Sequence, residues 1–250
     1  MNAALKVPTR YTSLSADESA EVLTRKIRRQ EPFFFVRYGD GAIECISGKQ
    51  GMTCDREQYS PQLAAELNLA WKALMKGSRT HGVYVGDWLS ASFDATSEHA
   101  RYAEEYASLV SEGSPEFLHF EALLLMRESE PLLDFYRAVK SDPRRKVFMG
   151  PRECAGAAKM LGARHVVTPM AHLFEQLGVT TAYLMRENFD VLLYGAGMAG
   201  NIPAVYSWAA HPERTFINLG SALDPLFMGK KSRRQQISPE RARLMFRELL

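Results

Sequence analysis

The chain has 250 residues, 46% of them hydrophobic and 24% charged, and a formal net charge of +2. That is globular composition with length for one large or two small packed units, and near-neutral charge does not announce a nucleic-acid binder. No run of about eighteen apolar residues marks a membrane span, Met1–Arg10 lacks a signal-peptide core, and Cys45, Cys54 and Cys154 show no CxxC spacing, so reduced thiols and a cytoplasmic location are expected.

Ser15-Ala-Asp-Glu18 is a capping box. Ala16, Ala20, Leu23 and Ile27 follow at helical spacing, which predicts a helix to about Gln30. Its Arg25-Lys26-Arg28-Arg29 end suits the negative pole of the helix dipole. Pro32 opens a strand, Phe33 to Val36, an aromatic and β-branched run of the kind that fills a buried strand. Gly39 and Gly41 then permit a sharp turn, and Ala42, Ile43 and Ile46 suit a helix packed back on that strand. Arg37, Asp40 and Glu44 thus fall at a strand-to-helix turn, where open α/β sheets bind ligands. Gly39-Asp40-Gly41 is also an ordinary turn with Asp as a local cap. A charge on the last residues of a buried strand, however, needs a partner or a ligand.

Further on, Ser60-Pro61 starts a helix with Leu63, Leu67, Trp71 and Leu74 as its buried stripe and Gly77 as its stop. His81 to Val85 reads as a strand, followed by Gly86-Asp87-Trp88. Thr96 or Ser97 caps a helix to about Val110. Glu116 to Met126 sets His119 and Glu121 in an apolar run that reads as the start of another helix, and Leu132 to Val139 is helical. Ser141 to Lys146 is a polar, basic break and the candidate subdivision of an otherwise single 1–250 unit. Strands at Lys146–Met149, His165–Val167, Asp190–Tyr194 and Thr215–Leu219 alternate with helices at Glu153–Leu161, from Thr168-Pro169 to Gly178, after Gly200 to about Ala210, and after Ser238-Pro239. Such alternation implies βαβ units: an α/β, Rossmann-like, mostly parallel sheet with helices on both faces.

Gly195-x-Gly197-x-x-Gly200 matches the dinucleotide fingerprint in spacing and context, with Asn201 opening the helix. Three uses stand: a nucleotide or pyrophosphate cradle, a tight βα turn, or the cofactor turn of an NAD(P)-dependent oxidoreductase. The acidic residue expected about twenty positions later is not in place: the next strand ends at Asn218, and Asp224 lies beyond it. Asp40 and Glu44, one helical turn apart, are candidate ligands for Mg²⁺ or Mn²⁺, whose shell is completed by phosphate and water. Neither an HxxxH or Cys/His pair, a G-x-S-x-G elbow nor a Walker Gly-Lys-Ser/Thr is present.

Phe35-Val-Arg-Tyr-Gly-Asp-Gly41 resembles the Arg-aromatic-Gly-Asp-Gly signature of the GT-D glycosyltransferases, bacterial sugar transferases once filed as a domain of unknown function. Leu193-Tyr-Gly-Ala-Gly197 and Ile217 to Pro225 resemble that family's closing strands. The resemblance implies a Rossmann-like fold, a nucleotide-sugar donor (a UDP-sugar first among them) and Mn²⁺ or Mg²⁺. It implies that Arg37 steadies phosphate charge and that Asp40 belongs to an Asp-x-Glu pair serving the metal. Ala42 stands where that Glu would be, with Glu44 two residues late. Asp87, His119 and Glu121 are candidate bases for the acceptor hydroxyl. The acceptor stays open among a glycan, a protein, a lipid-linked sugar and a modified nucleobase in DNA, the last through Arg144-Arg145-Lys146 and Lys230-Lys231-Ser-Arg233-Arg234. A non-catalytic nucleotide-binding module is the other alternative.

Overall fold

Alternation along the strands decides which face each side chain enters. In β1 (Phe34–Val36), Phe34 and Val36 point to one side of the sheet; Phe35, with Phe33 before the strand, points to the other. The same split separates Val83 and Val85 from Tyr84, Val147 and Met149 from Phe148, and Phe216 from Ile217. Both faces are therefore apolar, and both must be covered by helices. The computed structural model describes residues 11–49, 51–52, 57–90, 105–110, 113–125, 128–229 and 237–250.

α1 (Ala16–Arg28) starts at the capping box, where Ser15 Oγ accepts Glu18 N–H at 3.2 Å and Glu18 Oε2 accepts Ser15 N–H at 2.7 Å. α2 (Asp40–Ile46) follows β1. A small antiparallel hairpin, β2 (Gly51–Met52) and β3 (Gln58–Tyr59), comes next and was not foreseen from the sequence. α3 (Pro61–Gly77) is capped by Ser60 and buries Leu63, Leu67, Trp71 and Leu74. β4 (Val83–Asp87) and β5 (Glu116–His119) flank residues 105–110, which are helical; the Thr96 or Ser97 cap lies outside the described residues, as do Cys54 and Lys230 to Arg234. α4 (Glu130–Ser141), β6 (Lys146–Pro151), α5 (Ala155–Met160), β7 (Arg164–Thr168), α6 (Leu177–Arg186), β8 (Val191–Tyr194), α7 (Asn201–Ala210), β9 (Thr215–Asn218), α8 (Asp224–Phe227) and α9 (Pro239–Met245) complete the order.

Seven of these strands form one sheet in the order β5-β4-β1-β9-β8-β6-β7, with every pairing parallel. The first and last strands of the sheet lie side by side at its centre. After β1 the chain passes to the face that holds α2, α3 and α7, and after β9 to the face that holds α1, α4, α5 and α9. Neighbouring strands that send the chain to opposite faces open a crevice beyond their C-terminal ends.

Two predicted elements differ. The 116–126 run begins as an edge strand, because Phe117 and Leu118 take opposite faces of the sheet beside β4. Thr168 ends β7 and caps no helix; His172 adopts a left-handed φ of 57°, and α6 starts at Leu177, so Gly178 lies inside the first turn of α6. Among the described residues no helix is long and apolar enough to cross a membrane.

The basic run at 144–146 sits at the N-terminal edge of β6, the end of the sheet away from the crevice, and its charges are engaged. Arg144 pairs with Asp142 at 2.7 Å, Arg145 with Asp190 at 2.8 Å, and Lys146 Nζ donates to the carbonyls of Asp142 and Lys140. Hydrogen bonding from Arg145 holds the Asp190 carboxyl at about 2. A carboxyl depressed in the folded state stabilises the protein above its unfolded value near 4, and that contribution disappears as pH falls through about 2. The pair is half-exposed, so its worth is below about 1 kcal/mol. Asp190→Asn should lower the urea-unfolding free energy slightly at pH 7, with the gap to wild type closing between about pH 4 and pH 2.

Candidate functional site

The crevice is a cleft of about 360 Å³ lined by residues at or just beyond the C-terminal ends of β1, β5, β6, β7, β8 and β9, with Glu57, which precedes β3, and residues at the starts of the helices that follow. Arg37, the first residue beyond β1, is only 7% exposed. Its guanidinium lies 5.4 Å from the Phe120 ring centroid and donates to the carbonyls of Phe120 (3.4 Å) and Leu219. These partners follow β5 and β9, so one cation ties three strand ends together. Carbonyl dipoles and an aromatic face replace the water that a buried charge loses.

The Arg37 backbone is held as tightly. Its carbonyl accepts from Asn201 Nδ2 at 3.2 Å and Asn218 Nδ2 at 3.4 Å; Asn201 Oδ1 in turn accepts from Asn218 Nδ2 at 2.8 Å and Tyr194 OH at 3.0 Å. Asn201 lines the cleft, yet its side chain is committed to holding Arg37. The glycines around it answer to the same packing. Gly220 has φ +52° and leaves the space that Arg37 Nη2 fills. A Cβ at Gly86 would lie 2.8 Å from Arg37 Cγ, one at Gly195 2.6 Å from the Gly220 carbonyl, and one at Gly200 2.9 Å from the Ala196 carbonyl. Gly197 has φ +61°. At the start of α7 the N–H groups of Gly200, Asn201 and Ile202 bond to the carbonyls of Ala196, Met198 and Ala199, so those amides turn inward to the loop.

Asp40 is the first residue of α2, with Gly39 as its cap, and its Oδ1 accepts Gly41 N–H at 2.9 Å. Arg37, Gly39, Asp40, Gly41, Gly195, Gly197 and Asn201 all line the cleft, together with Ala42. The other sequence candidates lie elsewhere. Glu44 turns to Lys49 (2.7 Å) and Tyr59 OH (3.0 Å), away from the cleft lining, so the Asp40–Glu44 pair does not assemble. Asp87 is wholly buried, and its carboxylate accepts the N–H groups of Tyr11, Thr12 and Leu89, fastening the N-terminal segment to β4. His119 Nδ1 accepts Glu121 N–H in a local turn, and neither residue lines the cleft.

Sequence reasoning passed over two carboxylates that do line it, Glu57 and Asp224. Asp224 stands out in sequence only as a carboxylate beyond the expected fingerprint position and within the segment of resemblance. Glu57 had no signal at all, since it precedes a two-residue strand. Asp40 and Asp224 give the cleft oxygen donors, and its lining carries no thiol or imidazole, the donor chemistry of a hard cation shared with phosphates. Among the described residues no three His, Cys, Asp or Glu side chains gather into a cage that would hold a metal by themselves.

No family model matches the chain, and no curated protein matches it. Two solved structures do resemble it. One is described as the highly conserved domain of unknown function 1792 with a distinct glycosyltransferase fold; the TM-score is 0.53 at 15% identity, covering 82% of each chain. The chain shares that fold. The other is a selenomethionine-substituted structure of the same domain, with a TM-score of 0.52 at 15% identity over 83% of each chain. The seven-stranded sheet takes strands from both sides of the 141–146 segment.

The polar cluster predicts a measurable cost. Asn201→Ala removes the acceptor of Tyr194 OH and a donor to the Arg37 carbonyl, leaving buried polar groups unsatisfied. Urea denaturation should show a loss of about 1–3 kcal/mol. Gly220→Ala, strained in backbone and crowded against Arg37, should lose a similar amount.

Proposed function

We propose that the protein is a glycosyltransferase that moves a sugar from a nucleotide-diphosphate donor, a UDP-sugar first among them, to an acceptor hydroxyl. The observation that carries this reading is the pairing of a buried, fixed guanidinium with a carboxylate at the first turn of a helix. Both face one cleft at the point where β1 and β9 send the chain to opposite sides. The likeness to a domain with a distinct glycosyltransferase fold supports it at the level of fold.

Transfer breaks the bond between the anomeric carbon and the diphosphate, and negative charge builds on the leaving phosphate. Arg37 stands ready to meet that charge without reorganising, because its carbonyl and aromatic partners already fix it. Asp40 is the residue that would share Mg²⁺ or Mn²⁺ with the diphosphate, and a bound ion would neutralise part of the same charge. Asn201, Asn218 and Tyr194 hold the backbone from which Arg37 projects. The apolar part of the lining, Phe120, Leu124, Met170, Leu173 and Met198, offers cover for the nucleoside or sugar ring.

A thermal-shift panel separates this reading from an oxidoreductase that uses the Gly195–Gly200 turn. UDP and its sugars with Mn²⁺ should raise Tm, whereas NAD(H) should leave it unchanged; the reverse pattern would sink the proposal. Asp40→Ala should keep Tm within about 5 °C of wild type while transfer falls by at least about 10²-fold. Full turnover in that variant would remove Asp40 from the chemistry.

A further inference from the structure

Glu57 approaches the cleft from a part of the chain that no motif marks. It precedes β3 and is 3% exposed. Its Oε1 accepts the N–H of Leu173 at 2.6 Å, so the carboxylate bridges the β2–β3 hairpin to the turn that follows β7. It also stands near α2. Burial pushes the Cys45 thiol up, and the negative charge of Glu57 adds to that rise. Arg37 is anchored instead among residues that follow β5 and β9, towards the opposite edge of the sheet. The cation and this carboxylate therefore reach the same cleft from different flanks.

We propose that Glu57 is the catalytic base of the transfer, taking the proton of the acceptor hydroxyl as it attacks the anomeric carbon. The assignment rests on the glycosyltransferase reading above. In this step a bond forms between the acceptor oxygen and the anomeric carbon, and the bond from that carbon to the diphosphate oxygen breaks. The nucleoside diphosphate leaves with the bonding pair, and the acceptor's proton passes to the Glu57 carboxylate and then to solvent. A single displacement of this kind inverts the anomeric centre.

Other carboxylates fit the role less well. Asp40 and Asp224 stand at helix starts, where an anion is favoured and suited to binding cations. Asp87, His119 and Glu121 are not on the cleft. Glu57 is withdrawn from bulk water and takes the Leu173 N–H, which helps fix its orientation as a positioned base requires. Among the described residues, Arg37 and Asp40 from the β1–α2 turn and Asp224 from α8 line the same cleft, and the Cys45 thiol of α2 feels the charge of Glu57. His172 and Glu175, on the turn after β7, lie 4.0 Å apart and do not line the cleft.

The experiment is release of UDP from UDP-sugars by the full chain with Mn²⁺, water serving as acceptor. Melting temperature, UDP-induced thermal shift and the anomer of the freed sugar by NMR are read alongside. Glu57→Gln keeps an oxygen for the Leu173 N–H, so its fold and UDP shift should match wild type. Its turnover should fall about 10²–10⁴-fold, with the acidic limb of the pH–rate profile lost. Wild type should release the anomer opposite to the donor's. Glu57→Ala, which breaks the bridge as well, should lower Tm in addition. Turnover in Glu57→Gln within about threefold of wild type, or release of the retained anomer, overturns the assignment while leaving the transferase reading intact. A wild-type chain that shifts with UDP but releases no UDP from any sugar overturns both.

Discussion

A guanidinium buried at the centre of a parallel sheet imposes the main constraint on this molecule. Arg37 cannot keep its charge there unless neighbouring segments bring acceptors to it, and those segments are the ends of β5 and β9. Charge-assisted bonds to carbonyls and the Phe120 face offset the lost hydration. In exchange the three strand ends are locked in register, and the cleft floor is rigid before any ligand arrives. The Asn201, Asn218 and Tyr194 bonds extend that rigidity to β8 and α7. Preorganised charge of this kind stabilises a developing anion more strongly than charge that must move into place.

The glycines make sense within that constraint. Gly86 and Gly220 leave the volume that the Arg37 side chain occupies, and Gly195 lets the β8 and β9 ends close together beneath the cleft. In the Gly195–Gly200 turn, Gly195 and Gly200 admit close backbone approaches, and the first amides of α7 bond within that turn.

Much of the fold was legible because its signals are local. The Ser15–Glu18 box, the Ser60-Pro61 start and the apolar run before Arg37 each carry their own physical cue, and each appears where expected. The 116–126 run misled because only its first four residues form a strand, with Glu121 beyond it in the turn that follows. Thr168-Pro169 misled because a Thr before Pro ends a strand as readily as it caps a helix. Within the site, Arg37 and Asp40 could be read because they flank a strand-to-helix turn. Glu44 could not be judged, since only the fold reveals that Lys49 and Tyr59 claim it. Glu57 was hidden for a different reason: its position depends on Leu173, 116 residues away, and nothing local encodes such a contact.

The sheet order also bears on how the chain is made. β1 is synthesised before every other strand of the sheet, and one of its two neighbours, β9, after all of them. Until Thr215–Asn218 emerges, β1 has a bare flank, and Arg37 lacks the Leu219 carbonyl that helps solvate it. Contacts so distant in sequence close slowly, because loop entropy must be overcome before they form. Assembly of the centre, and with it the cleft, therefore waits for β9, and until then β1 presents an unpaired apolar edge.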